Sequence, residues 1–326
     1  MKCWRLFAAM VAIVFTLVSL SPAMAAETFP TKPIRIICPW AAGGGTDRTA
    51  RFIADKLHGI LKVPVNVVNE TGGGGAVGFA SGANSKPDGY TVTNLTFEIG
   101  TLKWMGYSDL TPEAFKPLMQ FNEDAAAVIV GKDSKYKTVK DLLEDVKASP
   151  AGKFQFSGCA IGTVWDLARI GMLRNYGIDH NKVKFIPTKG AAPAVVELLG
   201  GHVDVITCSY PEAGPQIDAG QLRALAVMAE ERNPQYSQVP TLKEQGIDWA
   251  YGTWRGFGVP KDTPDSVAAV LIKACDEVFK SKDYIDFMNK NGFGIKMRGS
   301  QEFGKFMMEQ YKGLEEIVKA AGYGKK

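Results

Sequence analysis

A chain of 326 residues, 46% hydrophobic and 22% charged, exceeds what one hydrophobic core organises comfortably and suits two lobes of about 100 to 200 residues each. Its formal net charge is +4 at pH 7 and +2 without residues 1–25, and near-neutral charge with no basic run argues against a nucleic-acid partner. Beyond residue 25 the cysteines are Cys38, Cys159, Cys208 and Cys275, which show no C-x-x-C and no metal-ligand spacing, so neither a zinc site nor a thioredoxin-like motif is encoded.

The N-terminus reads as a signal peptide. Lys2 and Arg5 precede an apolar run from Leu6 to Val18, followed by Ser21, Pro22 and the small-residue series Ala23-Met24-Ala25-Ala26. The run is shorter than the roughly 18 to 20 residues a spanning helix needs, and cleavage is expected after Ala25. Its removal lowers the formal charge to +2, because residues 1–25 hold Lys2 and Arg5 and no acid. No later stretch is apolar enough to cross a bilayer. Export to an oxidising compartment permits disulfides without requiring them.

From there short apolar runs alternate with helical patterns, the signature of an α/β chain with mostly parallel strands. Ile34 to Cys38 is a predicted strand; Thr46 to Leu61 is a helix with Ala50, Ile53, Ala54, Leu57 and Leu61 on one face. Val63 to Val68 gives a second strand, and a turn at Pro87-Asp88-Gly89 leads into a third, Tyr90 to Leu95. Ala125 to Val130 follows as a strand, then a helix from Thr138 to Lys147 opened by Thr138 with Asp141 three residues on. Phe154 to Ser157 is a strand and Thr163 to about Tyr176 a helix that Gly177 ends. Strands at Val183 to Ile186, Val203 to Thr207 and Leu222 to Ala226, with a helix at Ala192 to Leu199, complete a second βαβ set. A last strand near Gly256 to Val259 precedes a tail with helical spacing at Val267 to Phe279 and Phe303 to Ala320. With no low-complexity linker, strands that cross between the lobes are the expected junction.

Three glycine-rich loops each follow a strand and precede a helix, at the edge where open α/β sheets hold ligands. The first is Trp40-Ala41-Ala42-Gly43-Gly44-Gly45-Thr46-Asp47, whose glycines let backbone N–H groups approach an anion beside a partly positive helix start. The second, Thr71 to Gly78, meets G-x-G-x-x-G at Gly73, Gly75 and Gly78, with Glu98 roughly where a ribose-binding acid would be sought. That match follows from a run of glycines, and nicotinamide cofactors are not normally supplied outside the cytoplasm, so no cofactor is expected. Phe79 in place of lysine after Gly78 excludes a P-loop. The third, Ser157-Gly158-Cys159-Ala160-Ile161-Gly162-Thr163, repeats the logic of the first in the other half of the chain. Two anion-ready helix starts in separate lobes can grip one diacid from both sides.

Catalytic signatures are scarce. His58, His180 and His202 read as surface residues, and there is no G-x-S-x-G, no H-E-x-x-H and no nucleophile beside a base. Lys189 offers a cation to a carboxylate or is an exposed loop lysine; Trp40, Tyr210, Trp254 and Arg255 line a cleft or belong to the core. Cys159 and Cys208 lie at carboxyl ends of strands in one lobe, where a disulfide and two free thiols are both compatible with the pattern.

Along nearly all of the chain beyond residue 25, Phe29-Pro30-Thr31-Lys32-Pro33-Ile34-Arg35, Pro39 to Asp47, Gly72 to Gly78, Pro87-Asp88-Gly89-Tyr90, Gly200-Gly201-His202-Val203-Asp204 and Val239 to Gly246 stand in a specific order. In this the chain resembles the Bug, or tripartite tricarboxylate transporter, substrate-binding receptors. The resemblance implies a two-lobe periplasmic-binding-protein fold of type II, each lobe a mostly parallel sheet flanked by helices, with the ligand cleft between the lobes. It implies no enzymatic role. It also implies a periplasmic monomer that captures a small carboxylate, whether a di- or tricarboxylate, an acidic amino acid or an aromatic acid. Membrane subunits of a tripartite tricarboxylate transporter are then the implied partners; a membrane sensor, or an exported enzyme acting on an organic acid, are the alternatives.

Expected lobes are residues 26–125 plus 251–326, and 126–250. The expected ligand-binding residues are Trp40, Ala41, Gly43, Gly44, Thr46, Asp47, Gly74, Gly75, Gly158, Gly162, Thr163, Lys189, Gly190 and Tyr210. Trp40 stands where phenylalanine is common in these receptors, which points to an aromatic or flat acid, and Cys159 with Ala160 departs from the usual second carboxylate loop. Asp47→Ala is expected to weaken ligand binding and to leave the fold intact.

Overall fold

The computed structural model describes residues 29–324. The signal-peptide reading falls on residues 1–25 and lies outside them. After strand β1 (Ile34–Cys38), helix α1 (Gly45–Leu61) buries Ala50, Ile53, Ala54 and Leu57 on the face its spacing predicts. It ends where Lys62 takes a left-handed conformation and its N–H bonds the carbonyl of His58. Strands β2 (Val65–Asn69) and β3 (Thr91–Thr96) flank β1 in parallel, with α2 (Ala76–Ala83) between them in sequence. A short α3 (Leu102–Met105) leads to β4 (Phe115–Gly131).

Beyond β4 comes α4 (Val139–Ala148), opened by the capping box the sequence predicts: Thr138 accepts from the Asp141 amide, and Asp141 reaches back to the Thr138 amide. Then follow β5 (Gln155–Ser157), α5 (Val164–Asn175), β6 (Lys184–Ile186), α6 (Ala191–Leu199), β7 (Val205–Ser209), α7 (Tyr210–Asp218) and β8 (Leu222–Val227). Strand β9 (Gly252–Pro260) precedes α8 (Asp265–Lys280), α9 (Lys282–Lys290), β10 (Ile295–Gly299) and α10 (Ser300–Ala320).

The strands form one sheet in the order β2-β1-β3-β9-β4-β7-β5-β6, with β8 and β10 also paired to β4. The expectation of mostly parallel strands holds at the two ends, where β1 pairs with β2 and β3 and β5 pairs with β6 and β7. In the middle β4 and β9 pair antiparallel to each other and to their neighbours, so the sheet as a whole is mixed.

Strand β4 organises this arrangement. Its first part, Phe115 to Ala125, pairs with β9, and its last part, Ala126 to Gly131, pairs with β7 and β8. One strand therefore serves both the β1–β3 side and the β5–β7 side. It begins at Phe115, ahead of the expected Ala125, where pairing with β9 extends it through the buried polar residues Gln120, Asn122 and Asp124 that break the apolar run. Helix α7, α9 and β10 are further elements beyond the sequence reading. Helix α7 carries Pro211 in its first turn, where the missing N–H costs nothing, and Gly214 and Pro215 within it.

Apolar side chains fill both faces. Phe121 on β4 packs at a tilt against Phe257 of β9 at 4.9 Å and Phe279 of α8 at 5.4 Å between ring centroids, all fully buried. No helix among the described residues is long and apolar enough to cross a membrane.

Candidate functional site

The loops between β1 and α1 and between β5 and α5 are the same turn built twice. Gly43 has φ of +83° and donates its N–H to Asp47 Oδ2 at 2.9 Å; Gly162 has φ of +67° and donates to Asp166 Oδ2 at 2.9 Å. In each, the next residue bonds back across the turn: Gly44 N–H to the Ala41 carbonyl at 3.4 Å, and Thr163 N–H to the Ala160 carbonyl at 3.3 Å. Both helices start one residue later, at Gly45 and Val164.

The two aspartates are structural clamps. Asp47 also accepts from Arg51 Nε at 3.0 Å and Asn69 Nδ2 at 2.8 Å; Asp166 is gripped by Arg169 at 2.7 and 3.0 Å and by the Tyr323 hydroxyl at 2.7 Å. Burial works to raise the Asp47 carboxyl, but Arg51, the Gly43 amide and Asn69 together hold it below the usual aspartate range. Its side chain turns into its own loop and leaves no oxygen lining the cavity described next.

A cavity of about 20 Å³, room for one water, lies between the two helix starts. Trp40, Ala41, Gly44, Thr46 and Gly190 of the expected site line it. Gly43, Asp47, Gly74, Gly75, Gly158, Gly162, Thr163, Lys189 and Tyr210 stand behind that lining or away from it. Gly158 is a packing glycine, since a Cβ there would come within 2.4 Å of the Thr207 carbonyl oxygen. Gly75 backs the cavity wall, where a Cβ would meet the Trp40 ring at 3.4 Å, and one on Gly74 would strike the Tyr107 ring. The Lys189 side chain is exposed; its carbonyl accepts from the Ala41 amide at 3.2 Å and so ties the two sides of the cleft together. Tyr210 stacks on Tyr236 at 4.1 Å, and Trp254 packs edge-on to Phe303; both lie elsewhere.

Two glutamates complete the site. The amides at the matching first helical positions each hold one: Gly45 N–H donates to Glu212 Oε1 at 3.3 Å, and Val164 N–H donates to Glu98 Oε1 at 3.2 Å. Each glutamate comes from the opposite side of the cleft, Glu212 from α7 after β7 and Glu98 from the turn after β3. Both are buried, Glu98 at 2% and Glu212 at 9% exposure.

Glu212 also accepts from the Ser209 amide at 3.1 Å and from Arg255 at 3.1 Å. Arg255, fully buried on β9, donates as well to Thr46 Oγ1 at 3.0 Å, to Asn122 at 2.5 Å and to Asp124. Burial pushes Glu212 above the usual glutamate range in spite of Arg255. For Arg255, Asp124 and Glu212 outweigh burial and hold the guanidinium charged still more firmly. Burial likewise raises Glu98, whose second oxygen accepts from Thr96 at 2.6 Å.

Of these groups the sequence reading singled out Arg255 as a possible cleft residue and Glu98 only for a ribose, and it passed over Glu212, Asp124 and Thr96. Glu212 sits three residues after Ser209, a helix-start spacing that the prolines beside it obscure.

All four described cysteines are free and buried, so Cys159 and Cys208 are thiols. His58 and His202 are exposed and His180 is half-buried, all outside the cavity lining. Among the described residues there is no cluster of side chains able to hold a metal ion.

A cleft lying across shared central strands, framed by two helix starts, defines a two-lobe solute-binding protein. The family model described as "Tripartite tricarboxylate transporter family receptor" matches residues 49–323, and the chain belongs to that family of periplasmic solute-binding receptors. A UPF0065 protein encoded in the TAR-I ttuE-ttuC′ intergenic region of Agrobacterium vitis is 33% identical over 272 residues, covering 81% of this chain and 76% of that one. Among solved structures, the periplasmic binding protein BugD superposes with a TM-score of 0.86 at 27% identity, over 91% of this chain and all of that one. R. palustris Rpa4515, solved with adipate, superposes with a TM-score of 0.84 at 25% identity, over 91% of this chain and 99% of that one.

Proposed function

We propose that the chain captures a small organic carboxylate between its lobes and delivers it to the membrane subunits of a tripartite tricarboxylate-type transporter, after export directed by residues 1–25. The observation that carries this reading is the pair of equivalent amides at Gly45 and Val164, each already bonded to a carboxylate. A helix start leaves several N–H groups without intrahelical partners, and the field of the helix favours an anion there. The first turns of α1 and α5 thus offer a ligand carboxylate further amides beside those the glutamates occupy. The adipate bound by Rpa4515 is in keeping with a carboxylate ligand.

The lobes of this reading are residues 26–125 plus 251–326, and 126–250. The change of β4 partners between Ala125 and Ala126 supports that division.

Binding requires the cleft to open, since a cavity of about 20 Å³ admits no organic acid. A thermal-shift screen of the purified protein against mono-, di- and tricarboxylates, acidic amino acids and aromatic acids, followed by calorimetry, tests the proposal. A ligand at about one hundred times its dissociation constant stabilises the fold by roughly 2.7 kcal/mol, a shift of several degrees. A carboxylate recovered unchanged from the complex is the expected result; conversion to product, or a response only to neutral solutes, would refute it.

A further inference from the structure

The charges that line the cavity are not those of a diacid pocket. Glu98, Glu212 and Arg255 line it, and Arg255 is committed to Glu212 at 3.1 Å and to Asp124 behind. Glu98 has no cationic hydrogen-bond partner; its oxygens accept only from the Thr96 hydroxyl and the Val164 amide, both neutral. Lys189, the other cation considered for this region, points its side chain to solvent.

The hydrogen bonds around Glu98 suit a carboxylate, although its burial favours the neutral form. An amide N–H and an indole N–H can only donate. Val164 N–H donates to one Glu98 oxygen; the Trp40 indole donates to Thr96 Oγ1 at 3.2 Å, and the Thr96 hydroxyl proton goes on to the other Glu98 oxygen at 2.6 Å. With the Thr96 proton so placed both oxygens accept, leaving the cavity side of the carboxyl free for a ligand group. The one cation near it, Arg255, is already shared by Asp124 and Glu212, so three buried acids face one guanidinium and a ligand anion beside Glu98 would add repulsion. Trp40 and Trp165 line the same cavity, and aromatic rings attract a cation.

We infer that the ligand bears a cationic nitrogen beside its carboxylate, and that Glu98, flanked by Trp40 and Trp165, is the specificity-determining residue that receives it. The preferred solute is then a zwitterion, an ammonium or quaternary ammonium acid, and not a plain dicarboxylate. This inference rests on the carboxylate reading above and narrows it.

The test is calorimetry on the refolded, solute-free chain with matched pairs of acids that differ by the cationic group: succinate and aspartate, glutarate and glutamate, butyrate and γ-aminobutyrate, and 3,3-dimethylbutyrate and betaine. The cationic member of at least one pair binds more tightly by about tenfold or more, and Glu98→Gln removes that preference, read as the ratio of the two affinities within the pair. Plain acids that bind as tightly as their partners overturn the inference and leave the carboxylate reading standing. Binding of butylamine, with no response to any acid, overturns the carboxylate reading and keeps the role of Glu98. Proton counting gives a second readout free of any variant. Titrations near neutral pH in buffers of different ionisation heat should show no proton taken up with a bound zwitterion, whereas uptake of one proton on binding a diacid of comparable affinity marks Glu98 as a neutral donor and overturns the assignment.

Discussion

Replacing Arg255 with methionine tests whether the buried charge network is what holds the centre of the cleft. The substitution keeps an unbranched chain of similar reach and removes hydrogen bonds to Thr46, Asn122, Asp124 and Glu212. Asp124 retains the Gly294 amide at 2.8 Å and Asn122 at 3.0 Å, and Glu212 retains the Ser209 and Gly45 amides, but neither has a cation left within hydrogen-bond reach. Two unit charges about 4 Å apart at an effective dielectric near 20 attract by about 4 kcal/mol, and stranding one half of a buried ion pair costs about 3–5 kcal/mol. The variant is therefore expected to lose about 3–5 kcal/mol near pH 7.5.

The pH dependence has a definite sign. Burial already raises Glu212, and loss of the Arg255 charge raises it further, so the folded variant binds protons more readily than its unfolded chain as pH falls. Its deficit against the parent shrinks between about pH 7.5 and about pH 5. Urea unfolding followed by circular dichroism at both pH values measures it. A deficit under about 1 kcal/mol, or one that widens toward acid, would refute the assignment. Adding Glu212→Gln to the variant should recover part of the loss by removing one stranded charge.

Asp47→Ala, first expected to spare the fold, is now predicted to lower stability by about 1–3 kcal/mol in thermal unfolding, since it strands the Gly43 amide and releases Arg51 and Asn69. Because the folded Asp47 carboxyl sits below its unfolded value, its contribution is present above about pH 4 and fades as pH falls through the folded value, so parent and variant converge in acid. Gly158→Ala drives a methyl to 2.4 Å from the Thr207 carbonyl oxygen and should cost about 1–3 kcal/mol, read as a lowered melting temperature. Thr138→Ala removes half of a capping box and should cost about 1 kcal/mol in the same assay. Ellman's reagent near pH 8 should find Cys38, Cys159, Cys208 and Cys275 unreactive in the native chain and reactive in denaturant. Burial pushes the Cys38 and Cys275 thiols up to about 12 and raises those of Cys159 and Cys208 as well.

Local signals carried most of the fold. The apolar face of α1, the Thr138–Asp141 capping box and the apolar cores of β1, β3 and β7 are written in spacings of a few residues, and the structure places elements there. What escaped depends on partners distant in sequence. The first half of β4 carries Pro117, Gln120, Asn122 and Asp124 and lacks alternation, because those polar groups are satisfied by Arg255, Arg298 and the Gly294 backbone. Helix α7 contains two prolines and a glycine, so propensity argues against it, and tertiary packing settles it.

The two loops were legible as helix starts. Their occupants were not, since Glu98 lies 66 residues from Val164 and Glu212 lies 167 from Gly45. The repeated turn itself, glycine to aspartate four residues on in both loops, was present in the sequence and is the pattern that would have separated clamp from lining.

The handover of β4 from one set of partners to another at Ala125–Ala126 carries a consequence for affinity. A join made of continuous, hydrogen-bonded strand has few conformations to surrender when the two sides come together, unlike a loose tether whose freedom must be given up at each capture. Less of the contact energy is then spent on ordering, so a modest set of hydrogen bonds can retain a small solute tightly. For the cleft opening proposed above, the same stiffness would confine the motion to bending and twisting about that point. It is helped by the register breaks at Pro117–Met119, Gln120–Asn122 and Val128–Ile129, which give an otherwise rigid ribbon its places to flex.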